Sequence, residues 1–250
     1  MPCGYNGQIS VDADFQIIVG QHISQHANDK QDVEPALQAL QDSTGQLPRQ
    51  ISADNGYFSG SNLQAFEQAG VDACIATDKG EKTHQTPLND SERKLVKADF
   101  IYDEAHNTFT CPGGQTLAMI RESKDGSRVY QGHAEVCAEC PFKPRCYQSE
   151  KGQARTVNTD NQEPLRQDMN RKMQTPAAQT TYKQRIVIVE PVFGQIKNSG
   201  FRGFSVRGKD NVAGEFSIVC AAHNFKKMVK AILKGLIRPE SGNSTVQPAI

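Results

Sequence analysis

The sequence predicts an α/β fold with a smaller Cys-containing segment set into it. Short β-branched runs alternate with stretches of helical spacing over the first third of the chain. Glycines close the helical stretches. At 250 residues the chain is long enough for one sizeable core, or one core plus a small inserted module. With 22% charged and 37% hydrophobic residues it has the balance of a soluble globular protein. No apolar run approaches 18 residues, so no transmembrane helix is expected and a membrane partner is excluded. The start, Met1-Pro-Cys-Gly-Tyr-Asn6, lacks the basic and apolar regions of a signal peptide. Seven cysteines without an export signal predict reduced thiols in the cytoplasm rather than a disulfide framework.

Taken in order, Gly7–Val11 and Phe15–Val19 are β-branched runs flanking Asp12-Ala13-Asp14, which predicts a hairpin with an acidic turn. Asn28 or Asp29 is expected to cap a helix carrying Val33, Leu37 and Leu40, stopped by Gly45 and Pro48. Ile51–Ala53 is a short strand leading into Asp54, with Gly56 permitting a tight turn. Ser59 or Ser61 caps the next helix, whose Leu63, Phe66 and Ala69 lead to Gly70. Asp72–Thr77 is another strand, completing an α/β layer over residues 4–78. Residues 79–110 read as a linker, 111–147 as a compact Cys-rich insertion, and 148–181 as a polar connector with a helix at 163–173. Residues 182–236 return to the core. Their last helix, 210–236, is expected to present Val212, Phe216, Val219, Phe225, Val229, Ile232 and Leu236 as one apolar stripe. Residues 237–250 are expected to be a disordered tail.

The formal net charge of +0 hides a polarity. Residues 1–110 carry 7 Lys+Arg against 16 Asp+Glu, residues 111–190 carry 12 against 9, and residues 191–240 carry 9 against 3. An acidic first part beside a basic last part points to a polyanion meeting the C-terminal region, although one solvated basic helix face gives the same count.

Two stretches carry chemistry. In Ile186-Val-Ile-Val-Glu-Pro-Val-Phe-Gly-Gln-Ile-Lys197, one carboxylate, Glu190, sits within an apolar run, and Lys197 follows two helical turns later. An acid on an apolar helix face is costly unless it is paired or bound to a cation, so Glu190 reads either as an ion pair with Arg185 or Lys197 or as a metal ligand. Asp54 ends a strand that opens onto a helix, where α/β folds present reactive groups, and the same residues also make an ordinary Asx turn. Two carboxylates brought together repel, and such a pair commonly marks a divalent cation of the kind that drives in-line phosphoryl transfer.

The segments Gly4–Asp12, Ser52–Ser59, Val189–Lys197 and Ala222–Lys226 resemble, in order, those of bacterial insertion-sequence transposases of the DDE type. The resemblance spans about residues 4–234. It implies a ribonuclease-H-like core, a bacterial cytoplasmic protein, and Mg²⁺- or Mn²⁺-dependent cleavage and joining of DNA at transposon ends and target by a homo-oligomer. Asp54 corresponds to the family's second catalytic carboxylate and Glu190 to its third, both metal ligands. Tyr182, Arg185 and Lys197 resemble its Tyr–Arg–Glu–Lys signature, whose basic members contact DNA phosphate. Four residues separate Arg185 from Glu190 where the usual signature has three. The family's first catalytic Asp lies on a strand upstream of the Gly4–Asp12 segment, so this chain is expected to be an N-terminally truncated core. Without that strand, either a gap or a forced pairing of strand 7–11 with strand 51–53 is expected, and no DNA cleavage by the chain alone. Asp12 and Asp14, the nearest carboxylates, read as turn residues.

Cys111, Cys137, Cys140 and Cys146 form a separate constellation. Cys137-x2-Cys140 is a knuckle spacing suited to one tetrahedral Zn²⁺, with His133 as a replacement ligand for one of the thiols. The 25-residue gap from Cys111 exceeds common zinc-ribbon spacing, and buried reduced thiols remain the other reading. Cys3, Cys74 and Cys220 read as packing residues. Arg202, Arg207 and Lys209, interleaved with Phe201 and Phe204, make a basic loop able to hold phosphates, the rings serving the core or stacking on a base. His223-Asn224 reads as helix packing. Against the transposase stand a catalytically inactive DNA- or protein-binding remnant and, less favoured, a hydrolase of another phosphoester.

Overall fold

The computed structural model describes residues 4–77, 93–147 and 153–236. In chain order the first elements are β1 (Asn6–Val11), β2 (Ile18–Ser24), α1 (Val33–Thr44), β3 (Gln50–Ala53), α2 (Gly60–Ala69) and β4 (Asp72–Ile75). Five short strands follow, β5 (Ile101–Asp103), β6 (Thr108–Thr110), β7 (Thr116–Glu122), β8 (Arg128–Gln131) and β9 (Thr156–Thr159). Between β8 and β9 lie two short helices, α3 (Ala134–Ala138) and α4 (Lys143–Cys146). The described residues end with α5 (Glu163–Met173), α6 (Pro176–Ile188), α7 (Glu190–Asn198) and α8 (Lys209–Leu233). It divides into two compact units: residues 1–76 with 173–250, and residues 77–172.

The first unit is α/β, as the spacing predicted. β1 and β2 pair antiparallel, with Gly7 opposite Ile23. β3 and β4 pair parallel through α2, the right kind of connection for strands of one direction. The two pairs are separate sheets, so strand 7–11 and strand 51–53 are not forced together. On one face of the hairpin, Ile18 and Ile23 join Val192 and Ile196 of α7 and Val212, Phe216 and Cys220 of α8 in one core. Gly7 is required there, because a Cβ would stand 2.9 Å from the Phe216 ring.

Several element boundaries differ from expectation. β2 begins at Ile18 rather than Phe15, because Asp12 holds an extended turn and accepts N–H bonds from Asp14, Phe15 and Ile17. Asp12 is thereby a turn residue, as expected. Asp32, not Asn28 or Asp29, precedes α1. Ser59 caps α2 by accepting from the Asn62 N–H, and Gly45 and Gly70 end their helices in the left-handed region.

The apolar run before Glu190 is not one buried helix face. α6 ends at Ile188 and α7 starts at Glu190, with Pro191 in its first turn, where a missing N–H costs nothing. Ile186 and Val187 are 58% and 65% exposed, and burial resumes only at Val192 and Ile196. The stripe of α8 is corrected too. Val212, Phe216, Cys220, His223 and Ala231 are buried, whereas Phe225 is 67% exposed and Val229, Ile232 and Leu236 face outward. Nine residues at about 100° each place Phe225 half a turn from Phe216, on the opposite side.

The second unit is a five-stranded antiparallel meander, β5 to β9 in order. Leu95, Phe100, Phe109, Leu117, Tyr130 and Val157 form its core. The reading of 79–110 as linker is therefore corrected for residues 93–110, which supply core residues and two strands; residues 78–92 lie outside those described. The connector 148–181 likewise contributes β9 and α5 to this unit, and its helix at 163–173 is present as expected. Arg93 pairs with Asp99, both nearly buried, and Glu163 accepts from Lys97 at 2.5 Å and from Arg166 at 3.2 Å. The tail expected at 237–250 lies outside the described residues.

Candidate functional site

Asp54 leaves β3 in an extended conformation and precedes a single 3₁₀ turn, Asn55–Tyr57. Its Oδ1 accepts the Gly56 N–H at 2.8 Å, so the Asx turn is real. Asn55 donates to the Ala76 carbonyl at the end of β4 and ties this turn to the neighbouring strand. The carboxylate of Asp29, by local sequence a helix cap, stands beside it. A Cβ at Gly56 would be 2.9 Å from both Asp29 Oδ2 and Asp54 Oδ1, so the two oxygens are less than about 6 Å apart. A side chain at position 56 would force one of these carboxylates to shift.

The remaining oxygen of Asp29, Oδ1, accepts from Asn6 Nδ2 at 2.7 Å and from Gln8 Nε2 at 2.6 Å. Gln8 in turn accepts from the Tyr57 hydroxyl. Buried Asn62 fastens both segments, donating to the Asp29 and Tyr57 carbonyls at 2.9 Å each. Burial pushes the Tyr57 phenol well above its ordinary range, and the charges of Asp29, Asp54 and Asp32 push it further. Tyr57 is therefore a neutral donor at any physiological pH. Arg185 acts on the same phenol in the opposite sense.

Arg185 leads to the second stretch. Its guanidinium lies 5.7 Å from the Tyr182 ring centre, and its Nη2 donates to Glu190 Oε1 at 3.0 Å. The Arg185 side chain is 16% exposed, that of Glu190 56%, and Arg185 Nε is buried without a partner. Glu190 therefore takes the ion-pair reading in this structure, in the first turn of α7, where a negative charge suits the helix dipole. Gln16, in the hairpin turn at φ 58°, donates to the Val187 carbonyl and braces the junction just before Glu190.

Lys197 occupies the last turn of α7, about 10 Å along the axis from Glu190, and is exposed. Arg202 and Arg207 are exposed in the loop before α8. Phe201 and Phe204 pack edge to face, and Phe204 does the same on Phe216, so both rings serve the core. His223 Nε2 lies 3.0 Å from the Gln16 carbonyl, while Asn224 bonds both the N–H and the carbonyl of Ile18, continuing the edge of β2. His223-Asn224 is packing, as read. In the second unit, Cys111, Cys137, Cys140 and Cys146 line one cavity together with His133.

Among the described residues, no group of three or more His, Cys, Asp or Glu side chains is arranged to hold a metal ion. Asp54 and Glu190 supply two carboxylates, one engaged by a backbone N–H and one by Arg185. They do not by themselves make a complete Mg²⁺ site.

Residues 110–229 match the family model described as Transposase DDE domain. That span holds the four cysteines, Tyr182, Arg185, Glu190, Lys197, Arg202 and Arg207, and leaves Asp54 outside it. The match supports a DDE transposase, a class of domain that generally uses divalent metals and acts on DNA. No curated protein and no solved structure matches the chain. No helix among the described residues is long and apolar enough to cross a membrane.

Proposed function

We propose that this chain forms part of a DDE-type DNA transposase of a bacterial insertion sequence, built on a ribonuclease-H-like core with residues 111–147 as a Cys-rich insertion. The observation that carries the reading is the stacked row Tyr182–Arg185–Glu190, lying within the matched span 110–229. Asp54 and Glu190 are the two carboxylates it contributes to a Mg²⁺ or Mn²⁺ site, where the metal's chemistry is activation of a hydroxyl and relief of charge on the leaving oxygen. Arg185 positions Glu190 through their ion pair. Lys197, Arg202 and Arg207 hold DNA phosphates, and their exposure leaves them accessible for that role. Two carboxylates leave the metal site incomplete, and the reading makes the protein a homo-oligomer acting on transposon ends and target.

Incubating the full chain with labelled duplex DNA and Mg²⁺ or Mn²⁺ tests this. Binding without cleavage is the expected result, since two carboxylates do not complete the site. The proximity of Asp29 to Asp54 favours a second reading, in which Asp29 is the completing carboxylate and the chain is active alone. Metal-dependent cleavage that is lost in both Asp29→Asn and Glu190→Gln would establish that reading. Neither binding nor cleavage would overturn both.

A further inference from the structure

Two short helices of the second unit have little buried surface beneath them. From His133 to Tyr147 no residue is buried, yet α3 and α4, of five and four residues, keep their places over the sheet. Helices this short are not stable on propensity. Phe142 and Cys146 pack half-buried against the sheet's core, and the Leu95 N–H bonds the Arg145 carbonyl at 2.9 Å, all on the α4 side. Cys137 of α3, Cys140 of the turn between the helices and Cys146 of α4 meet Cys111, just past β6, around a cavity of about 30 Å³. Small-molecule sites run to several hundred Å³. This one has room for an ion.

We propose that Cys111, Cys137, Cys140 and Cys146 bind one structural zinc ion that staples α3 and α4 to the sheet. Four features of the chain favour it. The turn Cys111-Pro-Gly-Gly-Gln115 closes with Gly114 at φ 75° and aims the Gln115 N–H at Cys111 Sγ, 3.4 Å away, a donor suited to a thiolate. Four thiolates on Zn²⁺ leave a net charge of about −2, and two cations, Lys143 and Arg155, line the same cavity. Arg155 anchors the far side by donating to the Cys146 carbonyl at 2.8 Å, while its Nε is buried without a partner and available to a ligating sulfur. Leu95, Leu117, Val136 and Phe142 give the cavity an apolar lining. An all-sulfur donor set in such a pocket selects a soft or borderline ion and tetrahedral geometry.

The thiols stand as an open ring, since no three donors are already gathered as a metal would hold them. A Cβ at Gly113 would be 3.5 Å from Cys140 Sγ and 3.6 Å from Cys111 Sγ, so these sulfurs are at most about 7 Å apart. Zn–S bonds of about 2.3 Å bring sulfurs to within about 4 Å of each other. Side-chain rotation with a small inward shift of α3 and α4 closes that gap, and no buried residue of 133–147 opposes it.

The test is metal analysis of the full chain, expressed with added zinc and purified under reductant. One zinc per chain is expected, retained in Cys220→Ala and lost in the double variant C137S/C140S. Cobalt(II) added to the chelator-stripped wild type should give the thiolate charge-transfer band and intense visible bands of a tetrahedral sulfur site, a readout independent of whether any variant folds. A chain that carries no zinc and shows no such cobalt spectrum overturns the proposal. So does zinc retained by the folded double variant. Both readouts are independent of DNA cleavage, so the transposase reading and the zinc site stand or fall separately.

Discussion

Asn62 is the residue on which the geometry around Asp54 most depends. It is 2% exposed, bonds two carbonyls through its amide, and holds the Asp29 and Tyr57 segments together. Asn62→Ala leaves two part-buried carbonyls without this donor, at a cost that reaches roughly 1–3 kcal/mol each where burial is full. Chemical denaturation should therefore show a loss of about 2–4 kcal/mol. A change below about 0.5 kcal/mol would mean that water replaces the amide without cost. Asp29 shows why part of this site was hidden in the sequence. In Ala27-Asn28-Asp29-Lys30 it has the signature of a helix cap, and nothing local distinguishes a capping carboxylate from one held by side chains 21 and 23 positions upstream. Asp54, by contrast, was legible, because a strand end, an Asx turn and Gly56 are all local features. Tyr182, Arg185 and Glu190 were legible as a set and the Arg185–Glu190 pair was one of the readings, but the choice among them was not legible, since it depends on the break between α6 and α7.

A second residue-scale outcome concerns pH. Burial pushes the Glu163 carboxyl up, but the Lys97 charge and hydrogen bonds from Lys97, Thr159 and Gln167 outweigh it and hold the folded-state value below the ordinary one. A depressed carboxyl contributes stability that is present above the unfolded value, about 4.3, and lost as pH falls through the folded one. Lys97 is lowered by burial, with Glu163 opposing, and that shift acts only at alkaline pH. Acid unfolding of the second unit, followed below about pH 4.5, should be less steep in Glu163→Gln than in the wild type. Equal steepness would remove Glu163 from the account.

At the scale of elements, α8 gives the sharpest contrast. Phe216 is 3% exposed and closes over Gly7, whereas Phe225 is 67% exposed. Phe216→Ala should cost about 3–5 kcal/mol, and Phe225→Ala should stay within about 0.5 kcal/mol. Comparable losses from both would show that the outward face of α8 is covered in solution. Apolar content alone misdirected the expected stripe, because a helix this long has enough apolar residues to draw a line on either side. The β5–β9 sheet was illegible for a different reason. Six of the seven β7 residues are exposed, and Thr116, Arg121 and Glu122 make it look like loop. Its strands are set by pairing with neighbours and by a small aromatic core, which a window of sequence does not contain. Helix ends fared better, since Gly45, Gly70 and Ser59 act within their own turn.

For the molecule as a whole, the central claim is that DNA phosphates meet the basic C-terminal region. The charge polarity along the chain, the exposure of Lys197, Arg202 and Arg207, and the Transposase DDE domain match over residues 110–229 all bear on it. Each phosphate contact releases counterions, so its removal lowers the slope of log affinity against log salt by about 1. The direct measurement is fluorescence anisotropy of duplex DNA with the full chain across a salt series, in the wild type and in the triple variant K197A/R202A/R207A. These three side chains are exposed, so the fold should survive, and circular dichroism of the variant checks that it does. The account predicts salt-dependent binding by the wild type and a slope shallower by about 3 in the variant. Identical slopes, or no binding by the wild type even at low salt, would contradict it.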